Sequence, residues 1–372
     1  MHGTRRLTFD IPLFLAVVAL VVIGILMVFT SSALLGKNPG QQPTRYFVQQ
    51  VLGALTGFGL VIVLLRTKRS FFLHPTFIYG LLALTGFLLM LSLVMPRVAN
   101  THRWVQFFGV RFQPSELAKI GLVLFFAFYC ETKKDVLNEW KTLALPFGVL
   151  GGSVLLVVAE RDFGTAVMLA ALSCMMMFIG GVKLKRLGML LAAFAVIFPL
   201  VLVAQQYRKE RIHNFFTGND DPLGSGYQVD QSKVAVGAGG LIGVGLGEST
   251  QRMSFLPFAH TDFIYAILGE ETGLLGTTIT LGLFLLLLWR GMKIASAAPD
   301  PALKMVAAGL SLMLVAQALL NITVFLGMGP AKGIPLPFLS YGRSSLLCSL
   351  AAAGILLHIS QRKGTTGQAV KI

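Results

Sequence analysis

Ile11-Pro-Leu-Phe-Leu-Ala-Val-Val-Ala-Leu-Val-Val-Ile-Gly-Ile-Leu-Met-Val-Phe-Thr30 runs without a charged side chain. A helix rises about 1.5 Å per residue, so a run of this length reaches across a hydrocarbon core of about 30 Å. Comparable runs recur along a chain of 372 residues that is 55% hydrophobic and 13% charged, with a mean hydropathy of +0.75. Blocks of this length are too long for the alternating faces of a soluble core, and they predict an all-α polytopic membrane protein. Arg5-Arg6 ahead of the first run has the look of a secretory signal, but the run exceeds a signal-peptide core and further spans follow, so it reads as a retained first span.

Working outward, ten spans are expected, near 11–30, 47–65, 76–94, 115–130, 143–159, 165–181, 187–204, 262–289, 303–326 and 340–359. They leave one integral membrane domain over 1–372, a large outer loop at 205–261 between spans seven and eight, and a short basic tail at 361–372. With a cytoplasmic N-terminus, 17 of the 31 Lys and Arg residues fall inside and 13 outside, with Lys119 in a span. Five of the outer ones lie in the long loop, where they weigh little, so both termini are expected inside. The same rule accounts for the formal charge of +15 without a nucleic-acid partner. Cys130, Cys174 and Cys348 show no CxxC spacing and argue against a disulfide framework or a zinc site.

Four polar stretches interrupt this pattern. In Phe112-Gln-Pro-Ser-Glu-Leu-Ala-Lys119, Pro114 suits a first helical turn, and Glu116 and Lys119, three apart, share a face on which they can pair. The pair reads equally as a structural lock on the fourth span or as a substrate contact. Glu160-Arg-Asp-Phe-Gly-Thr165 reads as a solvated outer turn. From Gly224 to Gly247 a glycine-rich stretch follows Lys233; it does not fit a nucleotide fingerprint, and close packing is the preferred explanation over anion binding, with Lys233 the residue to meet an anion. Gly327 to Ser345 carries Pro330, Pro335 and Pro337, which stop regular helix, so it reads as a loop lining a cavity at membrane depth. Lys332 and Arg343 give that loop positive charge on the side where the charge rule does not ask for it.

The last stretch, Ser254-Phe-Leu-Pro-Phe-Ala-His-Thr-Asp-Phe-Ile-Tyr-Ala-Ile-Leu-Gly-Glu-Glu-Thr-Gly273, places His260 and Asp262 where the outer loop meets the eighth span. A carboxylate there is a candidate catalytic base. Glu270 and Glu271 lie too far along the helix to share its reacting atom, and Lys119 is one candidate partner for them. Asn321-Ile-Thr323 matches a glycosylation sequon but lies within a span and is not read as one.

Together these stretches resemble the SEDS family (FtsW, RodA and SpoVE) of peptidoglycan glycosyltransferases. The resemblance rests on Arg103-Trp104 through Lys119, Asp162 to Ala166, Gly226-Tyr-Gln with Gln231-Ser232, the glycine run, His260 to Tyr265, Gly269 to Gly273 and Pro335 to Gly342. It implies polymerisation of lipid II into glycan strands by an inverting single displacement that releases undecaprenyl pyrophosphate. Asp262 takes the position of the essential aspartate, and Glu116 and Lys119 match the pair of the fourth span. Lys332, Lys233, Arg252, Arg343, His260 and Ser340 are candidates for substrate binding, with or without a divalent cation, Mg2+ or Mn2+.

The Pro-x-Lys-Gly of 330–333 is more typical of FtsW than of RodA members, which favours a role in division over elongation. A flippase for lipid II is the rival reading from another class. The resemblance further implies a bacterial inner membrane location with the active site outside. It implies as partners the lipid-linked glycan strand, a class B penicillin-binding protein transpeptidase and other divisome or elongasome membrane proteins. Arg343 stands where members often carry glycine, and Ser254 and Phe258 stand where many carry acidic residues, so any second carboxylate must come from elsewhere.

Overall fold

The computed structural model describes residues 9–32, 43–97, 101–107, 110–192, 225–249, 263–328 and 333–361. In chain order these form α1 (Ile11–Ser32), α2 (Pro43–Arg66), α3 (Pro75–Val94), the hairpin β1 (Val105–Phe107) and β2 (Val110–Phe112), α4 (Pro114–Thr132), α5 (Trp140–Ala159) and α6 (Phe163–Ile179). After them come α7 (Ser225–Gly239), α8 (Ile264–Ala297), α9 (Pro301–Phe325) and α10 (Arg343–Ser360). Helix starts follow local chemistry. Pro75, Pro114 and Pro301 occupy first turns, where their missing N–H is no loss. Asp10 and Asp300 accept from the backbone N–H groups of Leu13 and Ala302 at 3.0 and 2.8 Å.

Among the described residues seven helices are long and apolar enough to cross a membrane: α1, α2 from Thr44, α3, α5, α8, α9 and α10. Two expected spans differ for visible reasons. α6 has only 17 residues, and α4 carries Glu116 and Lys119 among its apolar residues. Most of the expected span 187–204 falls outside the described residues, which are helical over 184–192. The eighth expected span is longer than anticipated, because α8 runs on to Ala297.

Burial identifies the centre of the bundle. In α9 and α10, 72% and 78% of the spanning window is buried, against 22% in α3. α4 is buried on nearly all faces between α3, α6 and α9. α10 packs on α2 and α8 on α9. Where α1 begins and α10 ends, Arg290 forms an ion pair with Asp10, whose backbone N–H donates to the Ser360 hydroxyl at 3.0 Å, tying α1, α8 and α10 together. Arg186 lies 5.1 Å from the Trp140 ring centre, and Arg290 and Lys293 flank Trp289 at 5.4 and 5.6 Å. Exposed tryptophans beside cations at this level fit an interfacial aromatic belt.

The glycine run folds back on α8, in line with the packing reading. Gly243 and Gly273 both have positive φ, at 83° and 65°. The backbone N–H groups of Val244 and Gly245 donate to the carbonyls of Glu270 and Glu271 at 3.0 and 3.1 Å, and those of Leu274 and Leu275 return bonds to Gly240 and Leu241. At Gly273 α8 leaves helical geometry, and this exchange of bonds satisfies the groups freed by the break. A Cβ on Gly243 would lie 2.2 Å from the Glu271 carbonyl oxygen, whereas one on Gly237 meets nothing within 4 Å.

Gly243→Ala is therefore expected to cost about 1–3 kcal/mol through overlap and backbone strain. Gly237→Ala should be neutral or slightly stabilising. Thermal unfolding of the two purified variants in one detergent checks the contrast.

Candidate functional site

The first turn of α4 carries Glu116, and one turn on lies Lys119. The Lys119 Nζ donates to Glu116 Oε1 at 2.7 Å, with both side chains only 2–3% exposed. A buried pair of this kind is tolerated only when its remaining hydrogen-bonding capacity is used. Lys119 uses it on α9, donating to Gln317 Oε1 at 2.5 Å. With its oxygen held against the ammonium, the Gln317 amide must turn its NH2 away, and that group donates to the Pro335 carbonyl at 2.8 Å.

The proline segment is fixed in the same manner along its length. One helical turn beyond Gln317, Asn321 Nδ2 donates to the Ile334 carbonyl at 2.8 Å. Arg103 donates from its guanidinium to the Gly333 carbonyl at 3.2 Å. Three successive carbonyls are thus held by side chains from α9 and from the stretch before β1. Next, the Leu336 N–H donates to Ser340 Oγ at 2.8 Å, Gln50 Nε2 donates to the Ser340 carbonyl at 3.4 Å, and the Tyr341 hydroxyl donates to Gln49 Oε1. Prolines 335 and 337 deny this stretch a helical ladder, so its polar backbone depends on these partners. Its contact with α1 is close as well: a Cβ on Gly24 would lie 2.5 Å from the Phe338 carbonyl oxygen.

Arg103 joins this arrangement to the turn between α5 and α6, its guanidinium lying 3.6 Å from Asp162 Oδ2. Asp162 also accepts from Gln113 Nε2 at 3.2 Å and caps α6 by accepting from the Thr165 N–H at 3.1 Å. Contrary to the expectation from sequence, the two carboxylates of the turn are not solvated: Glu160 is 0% and Asp162 4% exposed, while Arg161 between them is exposed. Ser92 at the end of α3 and, on either side of the hairpin, His102 and Gln113 lie against the turn. Ser92 donates to Glu160 Oε1, and among the described residues Oε2 has no partner. Burial pushes the Glu160 carboxyl up to about 8; the Ser92 hydroxyl bond opposes this, the Asp162 charge adds to it, and Arg103 opposes it.

The residues singled out from sequence divide into three groups. Glu116, Lys119 and Ser340 lie in the buried network, Ser340 as the hydroxyl that closes the turn at Leu336. Lys233 does not join it; exposed on α7, it pairs with Asp230 at 3.0 Å, while the neighbouring Ser232 anchors α7 by donating to the Phe325 carbonyl at 2.7 Å. Arg343 begins α10, half-buried. Glu270 accepts from Ser249 and is not met by Lys119, which is engaged by Glu116 and Gln317. Asp262, His260, Arg252 and Lys332 lie outside the described residues. Among the described residues no group of three His, Cys, Asp or Glu side chains is placed to hold a metal ion, and the three cysteines are unbridged. Gln317, Asn321 and Gln50 were missed in the sequence. Their signal was there: Gln317 and Asn321 are amides spaced four apart in a largely apolar helix.

Comparison with known proteins adds identity to this geometry. The family model described as cell cycle protein, covering FtsW, RodA and SpoVE, matches residues 11–365. The chain is 38% identical to the probable peptidoglycan glycosyltransferase FtsW of Thiomicrospira cyclica, over 96% of this chain and 94% of that one. It is 36% identical to the stage V sporulation protein E of Bacillus subtilis, over 96% and 98%. Among solved structures, a chain from a peptidoglycan synthase complex that coordinates polymerization and crosslinking superposes with a TM-score of 0.80 at 28% identity, covering 95% of this chain and 98% of that one. The rod shape determining protein RodA of Thermus thermophilus gives 0.70 at 26% identity, over 96% and 98%.

The buried Glu160 makes stability depend on pH with a definite sign. Its folded value, about 8, lies above the ordinary 4.5, so between those values the folded protein holds a proton that the unfolded chain has released. Stability therefore falls as pH rises from about 5 to about 8. Glu160→Gln, which cannot ionise, should flatten that fall; melting temperatures of both proteins across the range check it.

Proposed function

The chain belongs to the cell cycle protein family of FtsW, RodA and SpoVE, and on that footing we propose that it is a peptidoglycan glycosyltransferase that polymerises lipid II in cell division. The observation that carries this reading is likeness over nearly the whole chain to relatives named as peptidoglycan glycosyltransferases. A helical membrane bundle with a buried ion pair wired to a non-helical segment suits a substrate whose prenyl tail stays in the bilayer.

The proposed chemistry is one displacement. Asp262 removes the proton from the acceptor sugar hydroxyl, whose oxygen attacks the anomeric carbon of the donor. A carbon–oxygen bond forms as the bond to pyrophosphate breaks, and configuration inverts. Undecaprenyl pyrophosphate departs with the electron pair. This leaving group needs positive charge rather than a proton, unlike a glycosidase leaving group, which calls for a second carboxyl. Lys332, Arg252 and Arg343 are the proposed sources of that charge. His260 is proposed to bind the substrate. Lys233, occupied by Asp230, is the weaker candidate. Glu116 and Lys119 are proposed to act through Gln317, holding the segment that follows Lys332 in sequence. Mg2+ or Mn2+ would add charge at the pyrophosphate.

Both termini are proposed to lie in the cytoplasm and the reacting groups outside, as the Lys and Arg distribution favours. A class B penicillin-binding protein is the proposed partner, since one structural relative comes from a complex that joins polymerization to crosslinking.

Asp262→Asn is expected to give an inserted protein of unchanged melting temperature that makes no glycan from purified lipid II. The measurement is polymerisation by detergent-solubilised enzyme, with and without the partner and with a chelator. Wild-type polymer made with no bilayer to cross excludes a flippase, whereas polymer made at the full rate by the variant rules out Asp262 as the base.

A further inference from the structure

At the outer end of α10 the chain turns at Gly342 into a first helical turn that reads Arg343-Ser344-Ser345. Ser344 and Ser345 are 2% and 5% exposed, and neither hydroxyl has a hydrogen-bond partner among the described residues. Buried serines within these helices usually bond back to a carbonyl one turn earlier, as Ser311 does to Ala307 at 2.7 Å. At a helix start that option fails. The residues three and four places earlier, Ser340 to Gly342, precede the helix and neither hydroxyl bonds back to them, while the first turn itself presents donors rather than acceptors. Two adjacent buried hydroxyls without partners are a cost that a native structure keeps only for a reason.

Three arginines surround the same end. The Arg343 stem packs toward α2, where a Cβ on Gly53 would lie 3.7 Å from its Cγ. Arg45 sits one turn before Gln49, the residue that accepts from the Tyr341 hydroxyl. Arg111 lies on β2, which packs against α10. The charges of all three act on the Tyr341 hydroxyl, which sets them around the residue two places before the helix. Among the described residues none of the three forms an ion pair, although Arg103 and Arg290 elsewhere meet Asp162 and Asp10. Arg45 and Arg111 are exposed and Arg343 half-exposed. Unneutralised positive charge, a helix N-terminus and two unsatisfied donors together specify an anion with several oxygens.

We propose that the N-terminus of α10 binds the phosphate group of a membrane-borne ligand, with the Ser344 and Ser345 hydroxyls donating to its oxygens and Arg343, Arg45 and Arg111 supplying the opposite charge. That the phosphate is the pyrophosphate of the lipid-linked sugar rests on the polymerase reading above. The phosphate chemistry does not.

Equilibrium binding of radiolabelled farnesyl pyrophosphate to the full chain in phosphatidylcholine nanodiscs tests the proposal. Wild type should bind the probe. The double variant Ser344→Ala/Ser345→Ala should bind about tenfold more weakly, as should Arg111→Gln, whose exposed side chain is not needed for folding. Without ligand, the double serine variant should melt at the same or a higher temperature, because it removes unsatisfied buried donors; a structural role would lower it. Displacement by inorganic pyrophosphate assigns the site to the phosphate group itself, and displacement only by added phosphatidylglycerol assigns it to a bilayer phospholipid. Undiminished binding in the serine and arginine variants, loss of binding together with a lower melting temperature, or displacement by neither competitor would overturn the proposal. Glycan synthesis by Asp262→Asn beside weakened binding in the serine variant would remove the base assignment and leave this site standing.

Discussion

A chain that leaves helical geometry inside a bundle must find partners for its carbonyls, and in this protein one buried ammonium orders how they are found. Lys119 holds the oxygen of Gln317, so the Gln317 amide can only offer its NH2 to Pro335. Without the ammonium the amide is free to turn, and the carbonyl of a proline-rich stretch inside the bundle loses its donor. Glu116 makes the arrangement possible by neutralising Lys119 where an isolated charge would be costly. The ion pair, the orientation of the α9 amide and the path of the 333–340 segment are therefore one constraint.

Around it the bundle supplies further anchors of different kinds. Arg103 divides its guanidinium between the Gly333 carbonyl and Asp162, so the α5–α6 turn and the proline segment share a single contact. The break in α8 at Gly273 exchanges backbone bonds with the glycine turn instead. Side-chain donors brace one non-helical stretch and backbone donors the other. The choice follows from sequence: prolines remove N–H groups from the first, and glycines let backbones meet in the second.

Much of this was legible beforehand, and where it was not the reasons are physical. Seven of the ten expected spans showed in the apolar runs because a hydrocarbon core imposes a length. Glu116 and Lys119 showed because three-residue spacing puts two charges on one face. The proline segment announced its lost helix, but not which side chains would hold it, since Gln317 and Asn321 are distant in sequence and neutral, and only packing of α9 against the segment brings them to it. Glu160 and Asp162 misled for the opposite reason: charged residues in a turn are ordinarily solvated, and nothing local reveals that Ser92, Gln113 and Arg103 will meet them. Lys233, a candidate anion ligand, pairs with Asp230 three residues earlier on the same helix. Arg343 stood out as positive charge on the disfavoured side and as a departure from a family pattern, whereas Ser344 and Ser345 gained meaning only once their hydroxyls were seen to lack partners.

The central claim, that the buried ion pair acts on the proline segment through Gln317, is tested most directly by a double-mutant cycle on lipid II polymerisation. Glu116→Gln/Lys119→Met removes the pair without leaving a lone buried charge, and Gln317→Leu removes the link. If both changes break one connection, the combined variant is no slower than the slower of the two, with a coupling energy of about 1–3 kcal/mol. Losses that multiply in the combined variant, with coupling near zero, would mean that the pair and the amide act separately and would contradict the account.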